Sequence, residues 1–89
     1  MAQLTAIKLT EDILAANKLI SFSVATGSVT SGYVATGLKK VAAAWANSID
    51  STTGVQIKLN STTGSDSSDG SVYLGFASAD DMILTVIGI

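Results

Sequence analysis

Few side chains in this sequence can do chemistry, and most of those carry oxygen. "DSSDG", Asp66 to Gly70, offers two carboxylates, two hydroxyls and a turn glycine. Oxygen-rich loops of this kind can hold Ca²⁺, but a calcium loop of the helix–loop–helix type needs more carboxylates and a bidentate Glu. Neither is present, so the expectation is a solvated hairpin tip. Asp80-Asp81 suggests a carboxylate dyad. Adjacent residues of an extended chain point to opposite faces, so a shared proton is not expected; a turn or strand-edge role fits better. The chain has no His and no Cys. This removes the usual general base near neutral pH, the commonest metal ligand, thiol nucleophiles and disulfides. No glycine pattern ends in the Gly-Lys-Ser/Thr of a phosphate loop. Five Lys are present, yet nothing in the sequence sets one beside a serine. Neither catalysis nor a metal or cofactor is expected.

Charge is sparse: five Lys, no Arg and seven acids, a net charge of −2. Arg is the residue best suited to phosphate forks and base edges, so an acidic chain without Arg is a poor nucleic-acid binder. Lys39-Lys40 reads as two solvated side chains beside a turn. No apolar run approaches the roughly 20 residues needed to span a bilayer. "MAQLTAIKLTED" lacks a basic segment followed by an apolar core, so no signal peptide is expected, and the Asn60-Ser61-Thr62 glycosylation sequon carries no weight. The expected location is the cytosol or a particle assembled there.

The elements that must position these groups are short. At 89 residues the chain is one small domain that buries only about 60–65% of its unfolded surface. Without disulfides or metals, self-association or docking on a larger body is the remaining reinforcement. Ser/Thr/Gly clusters, "ATGSVTSG", "DSTTG" and "NSTTGSDSSDG", separate the apolar runs "KLISFSVA", "VQIKLN", "SVYLGFA" and "MILTVIGI". β-prone runs between turn signals indicate an all-β sandwich or barrel. Alternation agrees: Val55, Ile57 and Leu59 share one side, and so do Ile20, Phe22 and Val24. "STTG" at 51–54 recurs at 61–64, which reads as one turn chemistry used twice. "QLTAIKL" reads as a strand, while "TEDILAANKL", with Thr10 as an N-cap, allows a short helix over residues 11–18.

"SGYVATGLKKVAAAWANSID", Ser31 to Asp50, reads two ways. A helix gathers Leu38, Val41, Trp45 and Ile49 on one face; a strand gathers Val41, Ala43, Trp45, Asn47 and Ile49. Four alanines favour a helix. Lys39 and Lys40 at a helix N-terminus oppose it, as does the lack of an N-cap residue just before them. The residues alone leave both open.

Thr36-Gly37-Leu38-Lys39, the apolar run after it, the Ser/Thr/Gly-rich middle and the ending Val86-Ile87-Gly88 resemble small virion structural proteins of tailed bacteriophages, over roughly residues 26–89. The resemblance implies a small antiparallel β-domain, with a strand after "TGLK". On such a strand Ala42, Ala44 and Ala46 form a small-residue face. Trp45 then lies with Val41 and Ile49, as a core residue or, alternatively, as a partner anchor.

The expected fold is therefore a single all-β domain, a small antiparallel sandwich or barrel, with a short helix at 11–18 as the variant. Residues 1–18 form an arm, a first strand or a short helix, and 19–89 the β-domain. The resemblance implies a non-enzymatic virion protein, foremost a capsid decoration (cement) protein. Its partners would be the major capsid protein or other virion subunits, with a homotrimer as the favoured self-association. A neck or tail component is the alternative, and a carbohydrate- or host-surface-binding module the next, with Tyr33, Tyr73 and Trp45 as stacking platforms. The expected partner contacts are Leu4, Ile7, Leu9, Tyr33, Trp45 and Tyr73. The first three belong to an N-terminal arm able to add a strand to a neighbouring sheet.

Overall fold

The computed structural model describes residues 3–27, 29–49, 55–76 and 81–89. Every apolar run foreseen as a strand is one, and the described residues contain no helix. Among the described residues there are seven strands: β1 (Thr5–Leu14), β2 (Asn17–Ala25), β3 (Ser31–Ala35), β4 (Val41–Ser48), β5 (Val55–Leu59), β6 (Ser71–Phe76) and β7 (Met82–Gly88). They form two antiparallel sheets with strand orders β1-β2-β7-β4 and β3-β6-β5. The chain is a β-sandwich: Ile20, Phe22 and Val24 of β2 and Met82, Leu84 and Val86 of β7 meet Val34, Val72, Leu74 and Phe76 of the smaller sheet in one core. These are the alternate residues of each strand, as a two-residue period requires.

The helix allowed over 11–18 does not form. Glu11, Asp12, Ile13 and Leu14 pair with Ile20, Leu19, Lys18 and Asn17, and the chain reverses through Ala15 and Ala16. A two-turn helix without an apolar face to bury is marginal, whereas the ladder satisfies the same backbone groups. The turn has a cost, because Ala15 sits at φ 55°, a region that glycine occupies without strain.

The N-terminal segment is a first strand. Gln3 bridges Tyr33 in parallel, and the Leu4 N–H donates to the Tyr33 carbonyl (2.8 Å). Leu4, expected as a partner contact, is 6% exposed and belongs to the core of its own domain. The chain thus leaves the edge of the smaller sheet at Leu4 and joins the larger sheet at Thr5. The division placed between residues 18 and 19 falls inside β2.

The segment after "TGLK" is a strand, but its faces differ from those expected. The register of β4 against β7 slips between Val41 and Ala43. A bulge inserts one residue and reverses which side chains point inward. Val41 is buried, whereas Ala43, Trp45, Asn47 and Ile49 are exposed. Trp45, expected in the core with Val41 and Ile49, is 44% exposed on the outer face. Ala44 and Ala46 pack on the core instead, while Ala42 sits in the bulge. The "TGL" corner carries the chain between sheets. The Thr36 hydroxyl donates to the Gly70 carbonyl (2.7 Å) and accepts the Leu38 N–H (3.2 Å). Gly37 turns at φ 83°, and Leu38 enters the core.

Candidate interaction surface

Two loops that looked chemical turn out to be structural. Asp66 accepts hydrogen bonds from the Ser61 hydroxyl (2.6 Å), the Thr62 N–H (2.9 Å) and hydroxyl (2.7 Å), and the Thr63 N–H and hydroxyl (both 3.1 Å). These donors, the Ser61 and Thr62 hydroxyls first, hold the carboxyl well below the usual carboxylate range. The second "STTG" is therefore a cradle for Asp66, and the "DSSDG" carboxylate organises its own loop instead of standing free at a tip. The first "STTG" and Asp80 lie outside the described residues. Asp81 is exposed, and its backbone carbonyl accepts the Ile49 N–H (2.9 Å). Among the described residues, no three His, Cys, Asp or Glu gather into a group that could hold a metal ion.

The same loop carries Asn60, which the sequence reading passed over as part of a sequon. Asn60 adopts φ 55°, where Asn is among the few side chains tolerated. Its amide accepts the Val41 N–H (2.9 Å) and donates to the Val41 carbonyl (2.9 Å). The Gly70 N–H donates to the same side-chain oxygen (3.1 Å). The Asn60 amide thus acts as one more peptide unit, tying the start of β4 to the smaller sheet.

The aromatic residues do not form one platform. Tyr33 and Tyr73 are cross-strand partners on β3 and β6, with Lys58 next in the same row. They face outward from the smaller sheet. Trp45 faces outward from the larger sheet, on the opposite side of the sandwich. Tyr73 is also occupied: a Cβ built on Gly64 would lie 3.2 Å from the Tyr73 ring, and one on Gly75 3.1 Å from its hydroxyl. The ring supports the Asp66 loop, and this explains its half-burial. The three aromatics proposed as stacking platforms therefore offer no common surface to a glycan.

The larger sheet has a different character. Ile7, Leu9 and Ile13 of β1 are 65%, 52% and 73% exposed. Among the described residues β1 pairs only with β2, which leaves its other edge open to them. A bulge between Lys8 and Thr10 brings Lys8 and Glu11 to the same face, where they form an exposed ion pair (2.6 Å) that lowers the Glu11 pKa. Beyond β1, the pairing register defines the outward rows. Leu19, Ile87 and Ala43 lie abreast, then Ser21, Thr85 and Trp45, then Ser23, Ile83 and Asn47, with Ile7 beside Ser23. The Ser21 and Thr85 hydroxyls are hydrogen bonded across the strands (3.2 Å). Across β2, β7 and β4 this face carries no charged side chain. Sequence reasoning named Ile7 and Trp45 but missed Leu19, Ile83 and Ile87. The available signal was "MILTVIGI": a strand apolar on both faces reads as covered on both.

No protein-family model, curated protein or solved structure matches this chain.

Proposed function

We propose that this chain is a non-enzymatic structural subunit of a tailed-phage particle, acting as a decoration or cement protein on the assembled head. The observation that carries this reading is the concentration of exposed large apolar side chains on one sheet. Ile7, Leu9 and Ile13 on β1 and Trp45 on β4 belong to the four-stranded sheet, and Ile49 follows β4 directly; Ile7 and Trp45 share its outer side, while Ile13 pairs with Lys18 on the other. Scattered surface apolars are ordinary, but a cluster of this kind marks an interaction surface. The absence of His and Cys favours a structural role over a catalytic one. The resemblance of residues 26–89 to small virion proteins supplies the setting, and its "TGLK" word is a working part of the fold, the corner that sends Leu38 into the core.

Such a subunit works by mass action. A protein that binds only the closed shell stabilises the shell by its binding free energy. The open β1 edge offers main-chain groups, and its exposed apolar side chains offer area to bury across a joint. Quantitative mass spectrometry of purified particles tests the reading. Hundreds of copies per particle are expected. A dozen or fewer would move the protein to the neck or tail, and absence from the particle would end the virion reading.

A further inference from the structure

We infer that the outer face of the four-stranded sheet is a self-association surface whose occupant is a second copy of this chain, packed face to face. The inference rests on composition and area, and it stands whatever particle the protein serves.

The central strand of the face is β7. Its inward residues Met82, Leu84 and Val86 are fully buried, and its outward residues are Ile83, Thr85 and Ile87. Antiparallel sheets with one wet face normally alternate apolar and polar side chains. β7 instead has the pattern of a strand covered on both sides. Its neighbours extend the pattern with Leu19 on β2 and Trp45 and Ala43 on β4. The polar positions between them are Ser21, Ser23, Thr85 and Asn47, small neutral groups that leave the face flat. The charges that bound this face are Asp12, at its β1 margin opposite Leu19, and exposed Asp81, two residues before Ile83.

Charge decides the kind of partner. A face whose centre is free of charge has little there to complement an acidic or basic partner, and little to repel an identical face. Among the described residues the other charges lie off this face or at its margins: Lys8, Glu11 and Lys18 fall on the opposite side of the sheet by register, Lys39 and Lys40 stand at the corner, Lys58 on the other sheet, Asp66 and Asp69 in the loop, and Asp12 and Asp81 at the edges of the face. Area agrees. Four strands about 4.8 Å apart and about seven residues long cover roughly 450 Å² in projection. Two such faces, with side-chain relief, bury about 1,000 Å² or somewhat more, the lower bound for a specific interface. A face that meets itself closes after two copies. The assembly is therefore a dimer of modest affinity, in place of the trimer expected from the sequence. It is a four-layer stack in which the facing sheets cross at about 30° or less. The open edge of β1 stays available for a different partner.

Trp45 reports on this interface, because it is the only tryptophan and lies on the face. Sedimentation equilibrium of the full chain, from low to high micromolar concentration, should show monomer passing to dimer. Over the same range Trp45 emission should shift to the blue and acrylamide quenching should fall. Thr85→Lys and Ser23→Lys each place a charge within the face without touching the core. Each should hold the chain monomeric with an unchanged circular dichroism spectrum and abolish the concentration dependence of Trp45. If one variant fails to fold, the other and the wild-type fluorescence still decide. A wild-type chain that stays monomeric at high micromolar concentration overturns the proposal. So does self-association that survives both substitutions, which would place the contact on the β1 edge. A monomer that still decorates phage heads sinks this inference and leaves the proposed function standing; a dimer absent from particles does the reverse.

Discussion

Replacing Asn60 by Ala should be among the most damaging changes outside the core. The side chain makes three hydrogen bonds to backbone groups, two with Val41 and one with Gly70. At about 1 kcal/mol each their loss costs about 3 kcal/mol. Ala at φ 55° adds about 1 kcal/mol of steric strain that Asn tolerates better. The sum, about 4 kcal/mol, compares with a total stability of roughly 4–13 kcal/mol for 89 residues. At about 4–8 °C per kcal/mol, the melting temperature should fall by roughly 15–30 °C. Urea denaturation followed by circular dichroism measures the loss, and two further variants separate its parts. Asn60→Gly relieves the strain but restores no bond, so it should be about 1 kcal/mol more stable than Asn60→Ala. Asn60→Asp keeps an acceptor for Val41 N–H but sets a carboxylate oxygen against the Val41 carbonyl, so it should remain far below wild type. If Asn60→Ala stays within about 1 kcal/mol of wild type, the amide is not the tie between β4 and the smaller sheet, and the hydrogen-bond argument fails.

Three other outcomes follow from the geometry. Asp66 has its pKa depressed in the folded state, so its contribution to stability is present above the ordinary Asp value of 3.8 and is lost as pH falls below it; a thermal melt series in acid should show this loss, and Asp66→Asn should flatten it and lower the melting temperature at pH 7. Ala15→Gly should raise stability by about 0.5–1 kcal/mol, because glycine adopts the positive φ of this two-residue turn without steric cost; an unchanged or lower melting temperature would count against the turn geometry. Deleting residues 2–9 removes Leu4 from the core and half of β1 from its ladder with β2, so the truncated chain should lose cooperative unfolding by circular dichroism; a folded truncation would restore the arm reading of this segment.

The strands were legible because each apolar run alternates, and alternation is what a two-layer fold imposes. Ile20, Phe22 and Val24 and Val55, Ile57 and Leu59 face inward as their spacing indicated. Trp45 was misplaced because a one-residue bulge at Ala42 reverses every face after it, and nothing in "KKVAAAWANSI" marks a bulge. Leu4 was misplaced for another reason: its burial depends on the parallel bridge between Gln3 and Tyr33, a contact 30 positions apart. Asn60 was hidden because its role arises from positive φ and a partner on another sheet, neither of which a local pattern records. The charge-free outer face could be read in part from "MILTVIGI", but joining it to Leu19 and Trp45 required the strand order β2-β7-β4, which the sequence order does not reveal.

The central claim is that this chain stabilises an assembled phage head, and an add-back experiment tests it most directly. Heads purified from particles lacking the gene should rupture at a lower temperature than wild-type heads. Adding the purified chain should restore the rupture temperature and saturate at hundreds of copies per head, because binding restricted to the intact shell shifts its equilibrium toward that state. Heads of equal thermal stability with and without the gene, or a purified chain that does not bind the deficient heads, would contradict the claim.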